Sequence, residues 1–397
     1  MSDLVLVINS GSSSLKYSLV DASTGNSVAG GQVERIGESN GLVTHNGPNG
    51  ETRSELTVAS HEDALRAVLD AFASHGPSLD DADLAAIGHR VVHGGDRFGE
   101  PALVDDALFD AVTDLVPLAP LHNPANLEGM KVSRRLFPDL PQVAVFDTAF
   151  HQTLPEHAYT YAVPRSWREE HHVRRYGFHG SSHAFVSAEA ARLLGRTPEE
   201  VNVIVLHLGN GCSATAVRRG RSVDTSMGMT PLEGLVMGTR SGDVDPALHA
   251  HLAREVGLSL EEIDEVLNRE SGLKGLAGEN DFRELNRLLE FGDDGALLAF
   301  GVYCYRIRKY VGAYYAALGT VDAIAFTAGV GQRAPAVRAQ ALGGLESLGI
   351  HIDLARNDAE GDEARVVSTD DSPVSVMVIP TNEEWEIARQ SLAVVRP

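Results

Sequence analysis

Short apolar runs alternate with polar, glycine-rich turns along much of this chain. Residues 4–8 form a continuous apolar run, which predicts a buried strand, and Leu15, Tyr17 and Leu19 then recur at every second position. The polar segment between them, residues 9–14, predicts a tight turn. This pattern is typical of a β-hairpin with glycine and small hydroxyl residues at its tip.

A second unit of the same kind follows in the other half of the chain. Residues 203–206 predict a buried strand, residues 207–211 a polar glycine turn, and Ala214 and Ala216 then alternate with their neighbours. Superposing the two turns places Gly11 on Gly209 and Asn9 on His207. The pattern therefore predicts that the chain consists of two related halves.

The remaining periodic segments mix strands with helices. A third strand, residues 324–327, runs into the glycine turn 329–331 and then into a helix over 334–342. Because strands and helices interleave, the sequence predicts an α/β fold with layered sheets. The other predicted strands are 85–92 and 143–146, and the other predicted helices are 61–73, 182–194, 260–268, 297–318 and 385–394.

Composition and charge exclude several classes of protein. The 397 residues are 43% hydrophobic, which predicts a globular protein of two or three domains. The net charge of −22 disfavours nucleic acid and membrane partners, because both present negative surfaces. Only two cysteines occur, and Met1-Ser2-Asp3 lacks the basic segment of a targeting signal, so we expect a cytoplasmic location.

The glycine turns have a chemical interpretation beside the structural one. Backbone N–H groups and serine hydroxyls in such turns can bind phosphate oxygens, and Lys16 adds a positive charge after the first turn. No Walker A sequence is present. Either turn alone is equally typical of a plain hairpin connection. Two of them together favour a phosphate site.

The third glycine segment has its own alternative. Gly329, Gly331 and Ala334 fit the loose GxGxxA form of the dinucleotide fingerprint, with Glu346 or Asp353 near the position of a ribose-binding acid. The same helix start is compatible with an adenine nucleotide, and with glycines needed only for close packing.

Several charged side chains lie beside glycines or at strand ends. Arg90, His179 and Arg240 suit the binding of an anion and the stabilisation of a transferring phosphoryl group, although each is also compatible with an ordinary ion pair or core position. Asp147 ends an apolar strand, where a carboxylate binds Mg²⁺ or caps the next turn. His183 lies four residues after His179, but no third zinc ligand accompanies them.

Six ordered motifs resemble the acetate kinase family, of the acetate and propionate kinase group in the actin, heat-shock chaperone and sugar-kinase superfamily. The resemblance runs nearly end to end. The motifs are Asn9-Ser10-Gly11-Ser12-Ser13-Ser14-Leu15-Lys16, His89-Arg90-Val91-Val92-His93-Gly94-Gly95, Phe146-Asp147-Thr148-Ala149-Phe150-His151, Tyr176-Gly177-Phe178-His179-Gly180, His207-Leu208-Gly209-Asn210-Gly211 and the segment 224–246.

The resemblance implies a two-domain actin-like ATPase fold, also called ribonuclease H-like, with a duplicated core and an active-site cleft between domains 1–148 plus 383–397 and 149–382. By motif position, Asp147, His179 and Arg240 are implied to be catalytic, and Asn9 and Glu383 to bind metal. The implied substrate residues are Arg90, Val92, Leu121 and Pro231. The implied ATP residues are Lys16, His207, Leu208, Gly209, Asn210, Gly211, Asp281, Phe282, Arg283, Gly329, Val330, Gly331, Gln332 and Arg333.

The implied reaction is reversible, Mg²⁺-dependent, in-line transfer of the ATP γ-phosphoryl group to acetate, giving acetyl phosphate and ADP, with Mn²⁺ as a possible substitute metal. A carboxylic acid titrates near pH 4, so the acceptor is already ionised and needs no strong general base. We therefore interpret Asp147 as a metal or orientation partner. The remaining alternatives are a nucleotide-dependent binding protein of the same superfamily and a dinucleotide oxidoreductase.

Two departures from the family pattern concern the implied nucleoside side. Gln332-Arg333 stands where the family usually has Glu-Asn, and Phe282 stands where it usually has Met. These residues leave open which nucleotide base is preferred. The pocket residues do not decide between acetate and propionate as the acceptor, because one methylene changes the free energy of binding by only about 1–3 kcal/mol. Members of the family are homodimers, so the resemblance implies a homodimer here. The tyrosine-rich helix over 297–318 suits either the subunit interface or the core of one subunit.

Overall fold

The computed structural model describes residues 3–79 and 84–396, so the sequence-based statement about Met1 and Ser2 lies outside the described residues. The chain forms two compact units. The first comprises Met1–Gln152 and Asn382–Pro397, and the second comprises Thr153–Thr381. Within the described ranges, no helix is long and apolar enough to cross a membrane.

The first unit is built on a mixed sheet with strand order β5-β4-β3-β2-β1-β6-β8-β7. Its strands are β1 (Leu4–Ser10), β2 (Ser14–Asp21), β3 (Ser27–Glu34), β4 (Glu38–Gly47), β5 (Gly50–Val58), β6 (Leu84–Val91), β7 (Ala102–Leu103) and β8 (Gln142–Phe146). Its helices are α1 (His61–His75), α2 (Asp106–Asp114), α3 (Asn123–Leu136) and, from beyond the second unit in sequence, α15 (Glu383–Val395). Short 3₁₀ turns cover Val116–Leu118 and Ala149–Thr153.

The second unit has a sheet of order β11-β10-β9-β12-β14-β13. Its strands are β9 (Asn202–Leu208), β10 (Cys212–Arg218), β11 (Arg221–Thr225), β12 (Ala323–Thr327), β13 (Arg365–Val366) and β14 (Ser375–Val378). Its helices are α4 (Glu156–Tyr159), α5 (Arg165–His171), α6 (Gly180–Leu193), α7 (Ala247–Glu255), α8 (Leu260–Arg269), α9 (Gly272–Ala277), α10 (Phe282–Glu290), α11 (Asp294–Leu318), α12 (Ala328–Arg333), α13 (Pro335–Leu342) and α14 (Leu354–Asp358), with 3₁₀ turns at Pro198–Glu200 and Glu346–Leu348.

The two sheets repeat one topology. In the first unit the order β3-β2-β1-β6-β8 joins an antiparallel meander to two parallel strands, and β11-β10-β9-β12-β14 does the same in the second. Asn9 and His207 occupy the same position, one residue before the end of β1 and of β9. The predictions of an α/β fold and of a duplicated core are therefore confirmed.

Strand β1 shows why a continuous apolar run forms a central strand. Its alternate residues face opposite sides of the sheet, and both sides are covered. Leu6 and Ile8 pack in the cluster that includes the apolar face of α1, whereas Val5 and Val7 pack against Ile387 and Ala388 of α15.

The structure corrects the sequence-based interpretation of residues 329–331. These residues were expected to form a turn before a helix at 334, but α12 begins directly after β12. Ala328 adopts a left-handed conformation with φ of 62°, which turns the chain sharply into the helix. A Cβ on Gly331 would lie 3.3 Å from the carbonyl carbon of Phe326, so glycine lets the helix lie close to its strand.

Helix α11 covers the predicted segment 297–318 and starts earlier, at Asp294, where the side chain of Asp293 caps it. One face of the helix is core, with Tyr303, Ile307 and Val311 buried. Tyr305 on another face is 63% exposed. The helix thus supplies core packing, and its part in a dimer stays a prediction.

Candidate active site

Three parallel strands of the first unit end at one edge of the sheet, and three of the predicted residues lie there. Asn9 lies near the end of β1, Arg90 near the end of β6, and Asp147 directly after β8. The strands hold these positions together because β6 pairs in parallel with both β1 and β8. This edge is where α/β sheets commonly bind ligands.

Arg90 and Asp147 form a bidentate ion pair. Arg90 Nε donates to Asp147 Oδ1 at 2.9 Å, and Nη2 donates to Oδ2 at 2.7 Å. Their side chains are 21% and 3% exposed. Although burial alone would lower the pKa of Arg90, the carboxylates of Asp147 and Glu383 raise it. The pair uses one edge of the guanidinium, so the Nη1–Nη2 edge keeps N–H donors for a second carboxylate.

Glu383 is the third charged residue of this edge and the first residue of α15. Burial raises the pKa of its carboxyl, Arg90 opposes this shift, and Asp147 adds to it. The described part of the chain offers its carboxylate no hydrogen bond or ion pair. Asn9 and Asp147 lie at the ends of strands at this same edge, and together with Glu383 they offer oxygen ligands of the kind Mg²⁺ prefers. The residues therefore fit a magnesium ion.

In the second unit, two glycine-containing turns pack against each other. Gly209 N–H donates to the carbonyl of Gly211 at 3.1 Å, and Gly238 N–H donates to the carbonyl of Asn210 at 2.9 Å. A Cβ on Gly238 would lie 2.0 Å from Asn210 Oδ1, so this close approach requires glycine. The motifs around residues 209 and 240 thus form one structure.

Arg240 and His179 meet at Gly211. A Cβ on Gly211 would lie 3.5 Å from Arg240 Nη1 and 3.6 Å from His179 Nε2. Burial lowers the pKa of Arg240, which donates to the carbonyl of Pro231 at 3.3 Å. Among residues 3–79 and 84–396, no carboxylate pairs with it. A largely buried guanidinium without a counter-ion is a strong site for an anion.

Two imidazole rings stack at this point. The centroids of His179 and His207 lie 4.2 Å apart, with 18° between the ring planes. His179 adopts a left-handed conformation with φ of 57°, a strained state that is typical of functional sites in non-glycine residues. His179 and His183 both contact the Ser213 hydroxyl. In the described ranges, no cluster of three or more His, Cys, Asp or Glu side chains suits a metal ion.

A pocket of about 440 Å³ opens beside the glycine turn and α12. Phe282 forms part of its wall and packs on Tyr303, with ring centroids 5.4 Å apart. Asp281 caps α10 and pairs with Arg283. The lining residues are Gly209, Asn210, Gly238, Leu273, Asn280, Asp281, Phe282, Arg283, Asn286, Gly329, Val330, Arg333 and Ala334. The pocket therefore brings together eight of the predicted ATP residues.

The irregular segment between β11 and α7 carries Pro231 and Arg240, and buried polar contacts hold it in place. Arg175 Nη1 donates to the carbonyls of Thr225, Ser226 and Met227 at 2.6 to 3.1 Å. Its Nη2 binds Glu233, which also accepts a short hydrogen bond from Tyr161. These contacts replace the regular hydrogen bonds that the segment lacks.

The other predicted residues are distributed as follows. His207, Leu208 and Gly331 are buried, and Gln332 is half-buried with its carbonyl accepting from Arg338. Val92, Leu121 and Lys16 belong to the first unit, and Pro231 belongs to the second. Neither acid of the dinucleotide interpretation, Glu346 or Asp353, lines the pocket. Asp353 instead caps α14, so this alternative loses its ribose contact.

Sequence reasoning missed several contributors. Leu273, Asn280 and Asn286 line the pocket, and Ser182 and Ser213 contact the stacked imidazoles. Asn280 precedes the predicted Asp281 and donates to Asn210 at 3.4 Å, so its position beside that motif was a usable signal. Leu273, Asn286 and the two serines have no distinguishing sequence pattern.

Comparison with known proteins places the chain among short-chain acid kinases. The model of the Acetokinase family matches residues 4–389. The acetate kinase of Streptomyces avermitilis is 57% identical over 393 residues, which cover 98% of this chain and 97% of that protein. The crystal structure of Porphyromonas gingivalis acetate kinase has a TM-score of 0.95 and 42% identity, covering 99% of this chain and 100% of that one. A propionate kinase from Francisella tularensis subsp. tularensis has a TM-score of 0.92 and 42% identity, covering 98% and 99%.

Proposed function

Because this chain belongs to the acetokinase family, we propose that it transfers the γ-phosphoryl group of ATP reversibly to acetate, forming acetyl phosphate and ADP. It is a phosphotransferase with a carboxyl acceptor. The observation that carries the proposal is the largely buried Arg240, which has no carboxylate partner among the described residues and meets His179 beside the glycine turn. An anion is the group that this arrangement favours.

Arg90 is the residue we assign to the acceptor carboxylate. Asp147 occupies one edge of its guanidinium and leaves the other edge for a second carboxylate. Val92 and Pro231, which lie in the matching motifs, are assigned to the methyl group together with Leu121, an apolar residue outside those motifs. Since the acceptor is already ionised at neutral pH, Asp147 orients Arg90 and is not needed to remove a proton.

The nucleotide is assigned to the pocket of the second unit. Phe282 and Arg333 line it, so one residue from each departure from the family pattern lies at the proposed nucleoside side, whereas Gln332 does not line the pocket. The turn 207–211 would receive the phosphates, with Lys16 as a further phosphate contact. Arg240 and His179 would then stabilise the charge of the transferring phosphoryl group.

Magnesium is the metal we propose, with manganese as a substitute. Asn9 and Glu383 would hold the ion, and the negative charge of Asp147, which acts on Glu383, would add to its attraction. When bound, the ion neutralises phosphate charge. Burial raises the pKa of the partly buried Glu383 carboxyl and so disfavours its ionised form. A bound cation would favour the ionised form, which supports this assignment.

Propionate is the second candidate acceptor. The propionate kinase from Francisella tularensis subsp. tularensis is 42% identical to this chain, as is the acetate kinase of Porphyromonas gingivalis. A single methylene in an apolar pocket changes the free energy of binding by about 1–3 kcal/mol, which corresponds to roughly 5- to 150-fold in specificity. The ratio of kcat/KM for acetate to kcat/KM for propionate therefore decides which acid is the preferred acceptor.

The test is acyl phosphate formation from MgATP with formate, acetate, propionate and butyrate, trapped with hydroxylamine. We expect the highest kcat/KM with acetate, and a loss of at least about 100-fold in Arg90→Ala and Arg240→Ala. A maximum with propionate keeps the reaction and changes the acceptor. If no acid gives hydroxamate, the chain is a nucleotide-binding protein of another kind and the proposal is wrong.

We also propose that the protein is a cytoplasmic homodimer. The exposed face of α11, which includes Leu297, Leu298 and Tyr305, is apolar and suits a subunit interface. Both cysteines are buried free thiols, as expected in a reducing compartment. Sedimentation analysis should give a mass near twice 42.4 kDa, and Tyr305→Arg should shift the protein toward monomer. A wild-type mass of one chain contradicts the dimer.

A further inference from the structure

Each of the two stacked imidazoles is held at Nδ1 by a serine hydroxyl. Ser213 Oγ lies 2.9 Å from His179 Nδ1, and Ser182 Oγ lies 2.8 Å from His207 Nδ1. Both serines are fully buried. The opposite ring nitrogens face the glycine turn: His179 Nε2 lies 3.6 Å from the Cβ position of Gly211, and His207 Nε2 lies 3.9 Å from that of Gly209.

A second hydrogen-bonding group stands behind each serine. Thr381 Oγ1 donates to Ser182 Oγ at 2.9 Å, and His183 Nε2 lies 2.7 Å from Ser213 Oγ. A serine hydroxyl has one proton to donate and two lone pairs to accept with. When the group behind it supplies a proton, the serine directs its own proton to the imidazole in front. Thr381 fixes this direction for Ser182, and His183 would fix it for Ser213 when its own proton is on Nε2.

We propose that Ser182 and Ser213 are positioning residues that hold His207 and His179 as neutral Nε2–H tautomers, so that both rings present an N–H donor to the transferring phosphoryl group. This inference rests on the proposed function. A neutral imidazole that accepts at Nδ1 must carry its proton at Nε2. The opposite tautomer would direct a lone pair at an anionic group and repel it.

The stacking of the rings explains why neutral donors are needed here. Two imidazolium ions at 4.2 Å would repel each other, and the guanidinium of Arg240 adds a third positive charge beside them. Neutral rings avoid this repulsion and still donate two hydrogen bonds. By fixing the tautomer, the serines therefore provide an N–H donor at each Nε2. Protonation of the rings would provide the same donors, but with repulsion between the positive charges.

The first test is spectroscopic and uses the whole protein without substrate. Long-range ¹H–¹⁵N correlation spectra of ¹⁵N-histidine-labelled protein at pH 8 distinguish the two neutral tautomers and the cation, with His179→Gln and His207→Gln used for assignment. We expect Nε2–H for both rings in the wild type. In Ser213→Ala the signal of His179 should move toward a tautomer mixture, and in Ser182→Ala that of His207 should do so.

The second test is kinetic. Ser213→Ala and Ser182→Ala should each lower kcat about 10- to 100-fold while the KM values for ATP and acetate change less than about threefold, the range typical of residues that orient a catalytic group. Ser187→Ala is the matched control, because Ser187 is a buried serine of the same helix as Ser182 and its hydroxyl donates to the helix's own backbone, at the carbonyl of Ala184. Its kcat should stay within twofold of the wild type.

Thr381→Val keeps the test decisive if a serine variant fails to fold. It removes the hydroxyl behind Ser182 at nearly constant volume, and it should shift the His207 tautomer without touching the ring. An Nδ1–H tautomer or an imidazolium in the wild type, or unchanged spectra in all three variants, overturns the inference. If the wild type makes no acyl phosphate, the proposed function fails while the spectra still decide the tautomers.

Discussion

Replacing Gly211 by alanine tests whether the phosphoryl group passes between Arg240 and His179. The backbone of Gly211 lies outside the left-handed region, and the nearest atoms to an added Cβ are Arg240 Nη1 at 3.5 Å and two His179 ring atoms at 3.6 Å. These are ordinary van der Waals contacts. The fold therefore accepts alanine, and the free energy of unfolding should change by less than about 1 kcal/mol.

The same methyl group stands where an anion would have to bind. An oxygen atom that accepts from both Arg240 and His179 must lie about 2.7–3.1 Å from each donor nitrogen. A methyl carbon 3.5 and 3.6 Å from those nitrogens overlaps that position, so the phosphoryl group must shift by about 1 Å. A displacement of this size costs about 100-fold in rate. We expect kcat to fall by that factor while the melting temperature is kept.

The assay is acetyl phosphate formation at saturating MgATP and acetate, combined with thermal unfolding of each variant. Gly361→Ala is the matched control, since a Cβ at this exposed position meets Arg365 Nη1 at 3.8 Å, an ordinary contact with a flexible side chain, and should leave kcat unchanged. Gly238→Ala marks the opposite extreme, because its Cβ would lie 2.0 Å from Asn210 Oδ1 and should destabilise the protein. A Gly211→Ala enzyme with kcat within threefold of the wild type would refute the proposed path of the phosphoryl group.

Three further predictions follow from the contacts around the site. Asp147→Asn breaks a mostly buried bidentate pair and should lower kcat/KM for acetate about 30- to 150-fold, or about 2–3 kcal/mol. Its control, Asp114→Asn, breaks the exposed pair with Arg97 and should change stability by less than about 0.5 kcal/mol. An equal fall in kcat/KM in both variants would contradict the positioning role of Asp147. Because burial raises the pKa of Glu383, the contribution of this carboxyl to stability is full below its unfolded pKa and is lost as pH rises through its folded pKa. Metal-free Glu383→Gln should therefore gain melting temperature over the wild type as pH rises above the ordinary titration range of a glutamate; a constant difference would contradict this. Phe282→Ala should raise the KM for ATP about 5- to 100-fold with the KM for acetate unchanged, and a parallel rise in both would place Phe282 outside the nucleotide pocket.

The elements that could be predicted from the sequence are those buried on a regular period. Strands β1 and β9 are continuous apolar runs because both faces of each strand are covered, and α1 repeats its buried residues at helical spacing. Strands β4 and β5 gave no such pattern. Nearly every residue of β5 is exposed, so neither alternation nor an apolar run marks it. Its backbone pairing with β4 holds it in the sheet instead.

Site residues were predictable where a motif keeps them close in sequence, and less so where folding brings distant segments together. The turn 207–211 and the segment with Arg240 were found by their glycines. The pairing of Arg90 with Asp147, 57 positions apart, depends on the parallel register of β6 and β8. Ser213 looks like any polar residue of an alternating strand, and only its contact with two imidazoles distinguishes it.

Because helix α15 follows the second unit in sequence, the first unit cannot complete its fold until the second unit has been translated. Its residues Ile387 and Ala388 cover Val5, Val7, Val143 and Val145 of the sheet, and Trp385 donates to the carbonyl of Ala22 at 2.9 Å. Residues 153–381 lie between that sheet and the helix in sequence, and a ribosome adding about 5–20 residues per second needs roughly 10–45 s to make them. During this interval one apolar face of the nascent sheet has no cover. The unit that is translated first is therefore completed last, and its uncovered valines are a natural target for a chaperone.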